Sequence, residues 1–192
     1  MDILKSSQPE QPEKKLTFRE NVVLYLHDWV YLLAAVLVVF LIFFRVIVVS
    51  GDSMYKTLWD GDYLLLLSNV FYQEPQPGDI IVVSKKSFDN GSPIVKRVIA
   101  VEGQTVDIDF DAGIVYVDGI ALDEPYINNL TINPEGMVFP LTVEKGCIFA
   151  LGDNRQVSRD SRDPAIGQID KREVLGKALF LMLPGTSHGF HE

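Results

Sequence analysis

A serine hydroxyl in this chain becomes a nucleophile only if a neighbouring base takes its proton, and histidine is poorly placed for that task. His27 lies beside a long apolar segment, and His188 and His191 lie among the last five residues. The motifs GxSxG, HExxH and GxGxxG do not occur in the sequence. The remaining candidate base is a lysine, whose amine is neutral near working pH when burial in apolar surroundings lowers its pKa.

Lys96 has the apolar surroundings that such a base requires. It lies in the run Ile94–Ile99, whose Val and Ile residues predict a β-strand. Successive side chains of a strand point to opposite faces, so Lys96 and Arg97 face opposite ways. Arginine does not lose its proton in proteins, which makes Lys96 the candidate base and Arg97 an outward or ion-paired residue. Taken alone, an adjacent Lys-Arg pair is typical of a solvated strand face.

Three strings, in a fixed order along the chain, change the interpretation of that pair. They are SGDSMYKTL over residues 50–58, IVKRVI over residues 94–99, and LGDNRQVSRDSR over residues 151–162. Together they resemble the type I signal peptidases, particularly the small single-anchor forms of Gram-positive bacteria. The resemblance runs from about Trp29 to Leu183, and few chance matches are expected to the string GDNRxxSxDSR.

The resemblance assigns roles to individual side chains. Ser53 matches the nucleophile of the family, and Lys96 matches its general base. Ser158 matches the hydroxyl that hydrogen-bonds the lysine amine and orients it. Met54, directly after the nucleophile, is expected to support the site by packing. The polar positions that hold the site together without transferring protons are Asp153, Asp160 and Arg162.

Two positions depart from the family pattern. Lys56 stands where the first motif commonly has proline, which loosens the expected turn and adds charge near the site. Gly51 stands where some members place a serine hydroxyl in the oxyanion hole, although related Gram-positive forms also carry glycine. The backbone N–H of Ser53 is therefore expected to be the main oxyanion donor, with the second donor unidentified.

The reaction implied by the resemblance is peptide hydrolysis through an acyl-enzyme, with no cofactor and no metal ion. The substrate is expected to be a secretory preprotein, with small residues at the first and third positions before the cut. Its signal peptide would bind as an extended strand along a sheet edge.

Two other functions remain as alternatives. A self-cleaving Ser-Lys repressor shares the dyad and a β fold, but such proteins are soluble, and the apolar segment and the GDNR string disfavour this choice. A membrane-tethered β-domain that binds secreted partners without catalysis belongs to a different class. The joint presence of Ser53, Lys96 and Ser158 disfavours that second alternative.

The apolar segment predicts a permanent membrane anchor over residues 22–49. Residues 29–44 carry no charge, Arg45 follows, and a second apolar stretch covers residues 46–49, which makes 21 residues from Trp29 to Val49. At 1.5 Å per residue, such a helix spans roughly 30 Å, about one hydrocarbon core. Apolar residues cover every face, unlike a core helix. A cleavable secretory signal is disfavoured, because Arg45 and bulky valines follow the run where small cleavage-site residues would stand.

Basic residues near the two ends of the segment predict its orientation. Lys14, Lys15 and Arg19 precede it, whereas Arg45 and Lys56 follow. This favours a cytoplasmic tail over residues 1–21 and a catalytic domain outside the plasma membrane, with Arg45 reaching the outer interface. Ser53 follows Arg45 by eight residues, a reach of at most about 28 Å, so the nucleophile is expected to work close to the bilayer.

After the anchor, the pattern predicts a mainly β domain over residues 50–192. Short runs rich in Val, Ile, Tyr and Phe alternate with turn signals, and the pair Asp118-Gly119 predicts a tight hairpin. The predicted strands are 63–67, 80–83, 94–101, 105–108, 114–117, 148–151 and 177–183, with a brief helical turn at 171–175 and a looped insertion at about 120–146.

Charge and cysteine content exclude other classes of function. The net charge of −9, without clustered basic residues, argues against a nucleic-acid partner. The single cysteine, Cys147, forms no internal disulfide and no CxxC pair for zinc.

Overall fold

The computed structural model describes residues 17–185 of the chain. Lys14, Lys15, His188 and His191 lie outside this range, as does most of the predicted cytoplasmic tail. The chain divides into two compact units, one ending at Phe40 and one beginning at Leu41.

The first unit is dominated by one apolar helix, α1, at Phe18–Phe43. Thr17 and Glu20 form a capping box at its start: the Glu20 carboxylate accepts the Thr17 N–H at 2.7 Å, and the Thr17 hydroxyl accepts the Glu20 N–H at 3.4 Å. The helix is long and apolar enough to cross a membrane, and none of its residues is buried by protein.

The helix ends earlier than the sequence predicted. The anchor was expected to continue to Val49, but Phe44–Val48 form a strand, β1, which pairs antiparallel with residues 63–67. Arg45 lies in this strand opposite Leu66 and not at the end of a helix. The reason is the run Val46–Val49, because β-branched residues favour a strand once a partner strand is available.

The second unit is mainly β, as predicted, and all its strands pair antiparallel. After β1, the strands are β2 (Tyr63–Ser68), β3 (Ile80–Val83), β4 (Ile94–Val101), β5 (Thr105–Asp109), β6 (Ile114–Val117), β7 (Ile120–Ala121), β8 (Leu141–Thr142), β9 (Cys147–Leu151), β10 (Ile169–Asp170) and β11 (Val174–Leu183). Two 3₁₀ turns lie at Asp89–Gly91 and Lys171–Glu173. A seven-stranded sheet has the order β1-β2-β11-β3-β4-β9-β10, and a four-stranded sheet has the order β7-β6-β5-β8.

The interval 120–146 is not a loop throughout. Its two ends form β7 and β8, which are the outer strands of the four-stranded sheet. Asp118 and Gly119 both have positive φ and make the two-residue turn between β6 and β7 that the sequence predicted. Between β7 and β8, the segment 122–140 runs without regular structure.

One apolar cluster ties the Ser53 loop to the large sheet. Met54 and Leu58 are buried against residues of β2, β3 and β4, namely Leu64, Leu66, Val82 and Val95. Val95 is the chain neighbour of Lys96. Met54 therefore packs in this cluster and fixes the loop beside the strand that carries the lysine.

Candidate active site

Ser53 and Lys96 meet in the folded chain. The Lys96 amine donates a hydrogen bond of 2.9 Å to the Ser53 hydroxyl and a second of 2.9 Å to the carbonyl of Val95. Lys96 is 2% exposed, whereas Ser53 is partly exposed. The base is thus enclosed by protein while the hydroxyl can be reached from outside.

The surroundings of Lys96 favour its neutral form. Burial lowers the pKa of this amine to about 8, although the carboxylates of Asp160, Glu135 and Asp153 oppose the shift. The nearby Arg162 guanidinium lowers the pKa further. An uncharged amine therefore becomes abundant near pH 8, well below the range where an exposed lysine loses its proton.

The loop that carries Ser53 begins directly after β1 and is closed by backbone and side-chain bonds. The Val49 N–H donates to the Asp62 carbonyl at 2.8 Å, and the Gly51 N–H donates to the Asp60 carboxylate at 2.8 Å. Gly51 has a φ of 82°, a left-handed conformation that favours glycine. This turn aims Ser53 toward β4.

Asn154 holds the same loop from the opposite side. Its backbone N–H donates to the Ser53 carbonyl at 3.0 Å, and its side-chain amide donates to the Asp52 carbonyl at 3.0 Å. The Ser53 N–H donates to no acceptor within residues 17–185, so it is available to a developing oxyanion. In the sequence, Asn154 is one member of the string at residues 151–162, and no residue pattern there predicts this role.

Ser158 lies at the site but does not make the predicted hydrogen bond to Lys96. Its hydroxyl is buried and has no hydrogen-bond partner in the described part of the chain. The reason is that the Lys96 amine is turned toward Ser53 and the Val95 carbonyl. Ser158 packs against Gly152 so closely that a Cβ at position 152 would overlap its hydroxyl and lie 2.5 Å from the Ser53 carbonyl.

Asp153 joins three parts of the site. Its carboxylate accepts two hydrogen bonds from Arg97, at 2.8 and 2.7 Å, and one from the Thr57 hydroxyl. The guanidinium of Arg97 also lies 4.0 Å above the ring of Tyr126. Arg97 is therefore the ion-paired neighbour of Lys96 that strand alternation predicted, and Thr57 links the pair to the Ser53 loop.

Asp160 and Arg162 form a second buried pair behind the lysine. Two hydrogen bonds of 2.8 and 2.9 Å join their side chains, and the Asp160 carboxylate also accepts the Gly152 N–H at 3.0 Å. Arg162 donates further to the carbonyls of Arg155 and Ser158. The pair thereby fixes the chain on both sides of Ser158.

The site also contains a third buried pair and a nearby acid that the sequence did not predict. Arg155 binds Glu124 through its two terminal guanidinium nitrogens, at 2.6 and 3.1 Å, and donates to the Thr131 hydroxyl at 2.6 Å. Glu135 lies 3.2 Å from Arg162. Glu124, Thr131 and Glu135 come from the segment without regular structure, where no residue pattern predicts which side chains turn inward.

Taken together, the arrangement can perform nucleophilic catalysis at serine. A reachable hydroxyl is bonded to an enclosed amine of lowered pKa, a free backbone N–H accompanies the hydroxyl, and paired charges hold the loops around them.

Comparisons with known proteins point to one family. The family model described as "Signal peptidase, peptidase S26" matches residues 22–183. A probable signal peptidase I-1 of Synechocystis sp. is 37% identical over 149 residues, which cover 73% of this chain and 72% of that protein. A signal peptidase I of Bacillus licheniformis is 34% identical over 184 residues, which cover 90% of this chain and 95% of that protein. A signal peptidase IB of Staphylococcus aureus is 34% identical over 191 residues, which cover 85% of this chain and 94% of that protein.

The buried Arg97–Asp153 pair predicts a measurable loss of stability when one partner is neutralised. Asp153→Asn leaves Arg97 without its counter-charge, so we expect a loss of about 3 kcal/mol in the free energy of unfolding, measured by urea denaturation in detergent. The matched control is Arg159→Ala, which breaks the exposed pair with Asp163; that loss should be about 1 kcal/mol or less. Equal losses in the two variants would show that Asp153 is not the brace described.

Proposed function

The chain belongs to the signal peptidase family, peptidase S26, and on that premise we propose that Ser53 is its nucleophile and Lys96 its general base. It is a signal peptidase I, a membrane-bound serine endopeptidase that removes signal peptides from secreted preproteins. The observation that carries the residue assignment is the 2.9 Å bond between the enclosed Lys96 amine and the Ser53 hydroxyl.

The proposed reaction proceeds in two halves. In the first, Lys96 Nζ takes the proton of Ser53 Oγ while Oγ attacks the scissile carbonyl, and the Ser53 N–H stabilises the oxyanion. The tetrahedral intermediate collapses as the Lys96 ammonium returns that proton to the leaving amine, and the signal peptide remains as an ester on Ser53. In the second half, Lys96 takes a proton from water, whose oxygen attacks the ester, and Ser53 regains its proton as the peptide acid leaves.

The remaining site residues are proposed as supports. Asp153 and Arg97 brace the Ser53 loop through Thr57, and Asp160 and Arg162 fix the chain around Ser158. Ser158 is a support because its hydroxyl is buried, unpartnered in the described chain and packed against Gly152. Once Ser53 is esterified and its hydroxyl no longer binds the Lys96 amine, the Ser158 hydroxyl can accept a hydrogen bond from that amine.

Membrane anchoring is provided by α1, and the finer topology is a proposal. We place the N-terminus in the cytoplasm and the β domain outside the plasma membrane, because the basic residues concentrate before the apolar segment. The anchor then ends at Phe43, and the catalytic domain begins with β1.

Substrate preference is also a proposal. A signal peptide with small residues at the first and third positions before the cut would bind extended along a sheet edge. β1 supports this placement, because it is an edge strand of the large sheet and leads directly into the Ser53 loop.

The dyad is tested by cleavage of a purified preprotein in detergent. Ser53→Ala and Lys96→Ala should each lower kcat by about a thousandfold or more, because either change removes the attacking group or its base. Lys145→Ala, which removes an exposed lysine, should cleave at the parent rate. If all three variants cleaved equally well, the dyad would be rejected and another site would carry the activity; a parent protein that cleaves nothing would be a non-catalytic homologue.

The pH dependence of kcat/KM tests the protonation state of Lys96. Only the neutral amine accepts a proton, and the neutral fraction rises as pH increases through a pKa of about 8. Activity should therefore fall about tenfold per unit below pH 8 and level off above it. A limb centred near the ordinary lysine value of about 10.4 would contradict the assignment.

A further inference from the structure

The segment 133–137, which lies between β7 and β8, is tied to a single buried residue of the active-site network. The carbonyl of Asn133 accepts a hydrogen bond of 3.1 Å from the Arg162 guanidinium, and the Met137 N–H donates to the Arg162 carbonyl at 3.0 Å. Between these two contacts, the Glu135 carboxylate lies 3.2 Å from the same guanidinium. Arg162 thus receives three contacts from five consecutive residues.

The Glu135 carboxylate turns into the protein. One of its oxygens is buried and has no hydrogen-bond partner among the described residues, while the other faces Arg162. Burial and the neighbouring Asp160 carboxylate raise the pKa of Glu135 to about 7, Asp163 adds to the rise, and Arg162 opposes it. A carboxylate held in this way is not a solvated surface charge.

Glu135 is also one of the charges that act on Lys96. The charged groups around the Lys96 amine are the carboxylates of Asp160, Glu135 and Asp153, which favour the ammonium form, and Arg162, which disfavours it. Asp153 is engaged by Arg97, and Asp160 by Arg162. Glu135 is the acid among them that comes from the segment between β7 and β8.

We propose that Glu135 is a positioning residue for the base, acting through Arg162 and Asp160 to set how readily Lys96 gives up its proton. This inference rests on the proposed role of Lys96 and extends it to a segment that none of the three sequence strings contains. Near pH 8 Glu135 is mostly ionised, since its pKa of about 7 lies lower. Its charge is therefore present where Lys96 titrates, and it both attracts the ammonium and offsets Arg162.

The test is the pH profile of kcat/KM for Glu135→Gln in the full-length protein, with a purified preprotein in detergent. Glutamine keeps the size of the side chain and removes only the charge. The midpoint of the acid limb should move to lower pH by about half a unit to one unit, because the ammonium loses a stabilising charge. The relative gain in cleavage should be largest between about pH 7 and 8, at up to about twofold, and should vanish at pH 6, because the parent Glu135 carboxylate is already mostly protonated there.

Two further variants keep this inference falsifiable. Glu144→Gln removes an exposed acid from the same interval and should leave the limb in place. Glu135→Asp draws the carboxylate back from Arg162 and should shift the limb in the same direction as glutamine but less, which tests the idea even if the glutamine variant does not fold.

The outcomes separate this inference from the dyad itself. A parent limb near pH 8 that does not move in either Glu135 variant, or activity lowered equally at every pH, would overturn the role of Glu135 alone. A parent profile without that limb, or a cleaving Lys96→Ala variant, would overturn the dyad and the inference with it.

Discussion

The burial of one lysine amine is the constraint on which the rest of this site depends. Lys96 is 2% exposed, and an ammonium in such a place loses hydration that few partners can replace. The amine therefore favours its neutral form, with a pKa lowered to about 8. In the unfolded chain the ordinary lysine pKa of about 10.4 applies, so between pH 8 and 10.4 the unfolded state binds more protons. Burial of Lys96 consequently weakens the fold by roughly 3 kcal/mol below pH 8, and this cost fades as pH rises through that window.

Paired charges around the lysine allow it to stay uncharged and yet correctly placed. Arg97 binds Asp153, Arg162 binds Asp160, and Arg155 binds Glu124, each through two or more hydrogen bonds. A single unpaired charge at these depths would be strongly destabilising, so each pair fixes the position of the loop that supplies it. The turn 152–162 contributes to all three pairs, which explains why so many polar residues are concentrated there.

Local sequence patterns account for much of the fold. The bounds of β3, β4 and β6 agree with the predicted strands, and the opposite faces of Lys96 and Arg97 follow from strand alternation alone. The helix ends at Phe43 and not at the predicted Val49. A run of apolar β-branched residues suits a membrane helix and a sheet strand equally well, and only the pairing of β1 with β2 selects the strand.

The proximity of Ser53 and Lys96 was expected only from resemblance, since no local pattern joins residues so far apart. Asn154, Glu124 and Glu135 were not assigned roles, because they lie in turns and irregular segments where burial is set by distant partners. The missing bond between Ser158 and Lys96 is of the same kind: a rotatable amine has several acceptors within reach, and sequence does not indicate which of them it chooses.

The most direct measurement is an NMR titration of the Lys96 side chain, selectively labelled at Nζ or Cε, in the intact protein in detergent. The expected midpoint for Lys96 is near pH 8, far below the ordinary lysine value of about 10.4. A Lys96 midpoint at that ordinary value would contradict its role as the base, because the amine would then be charged whenever the enzyme is at work.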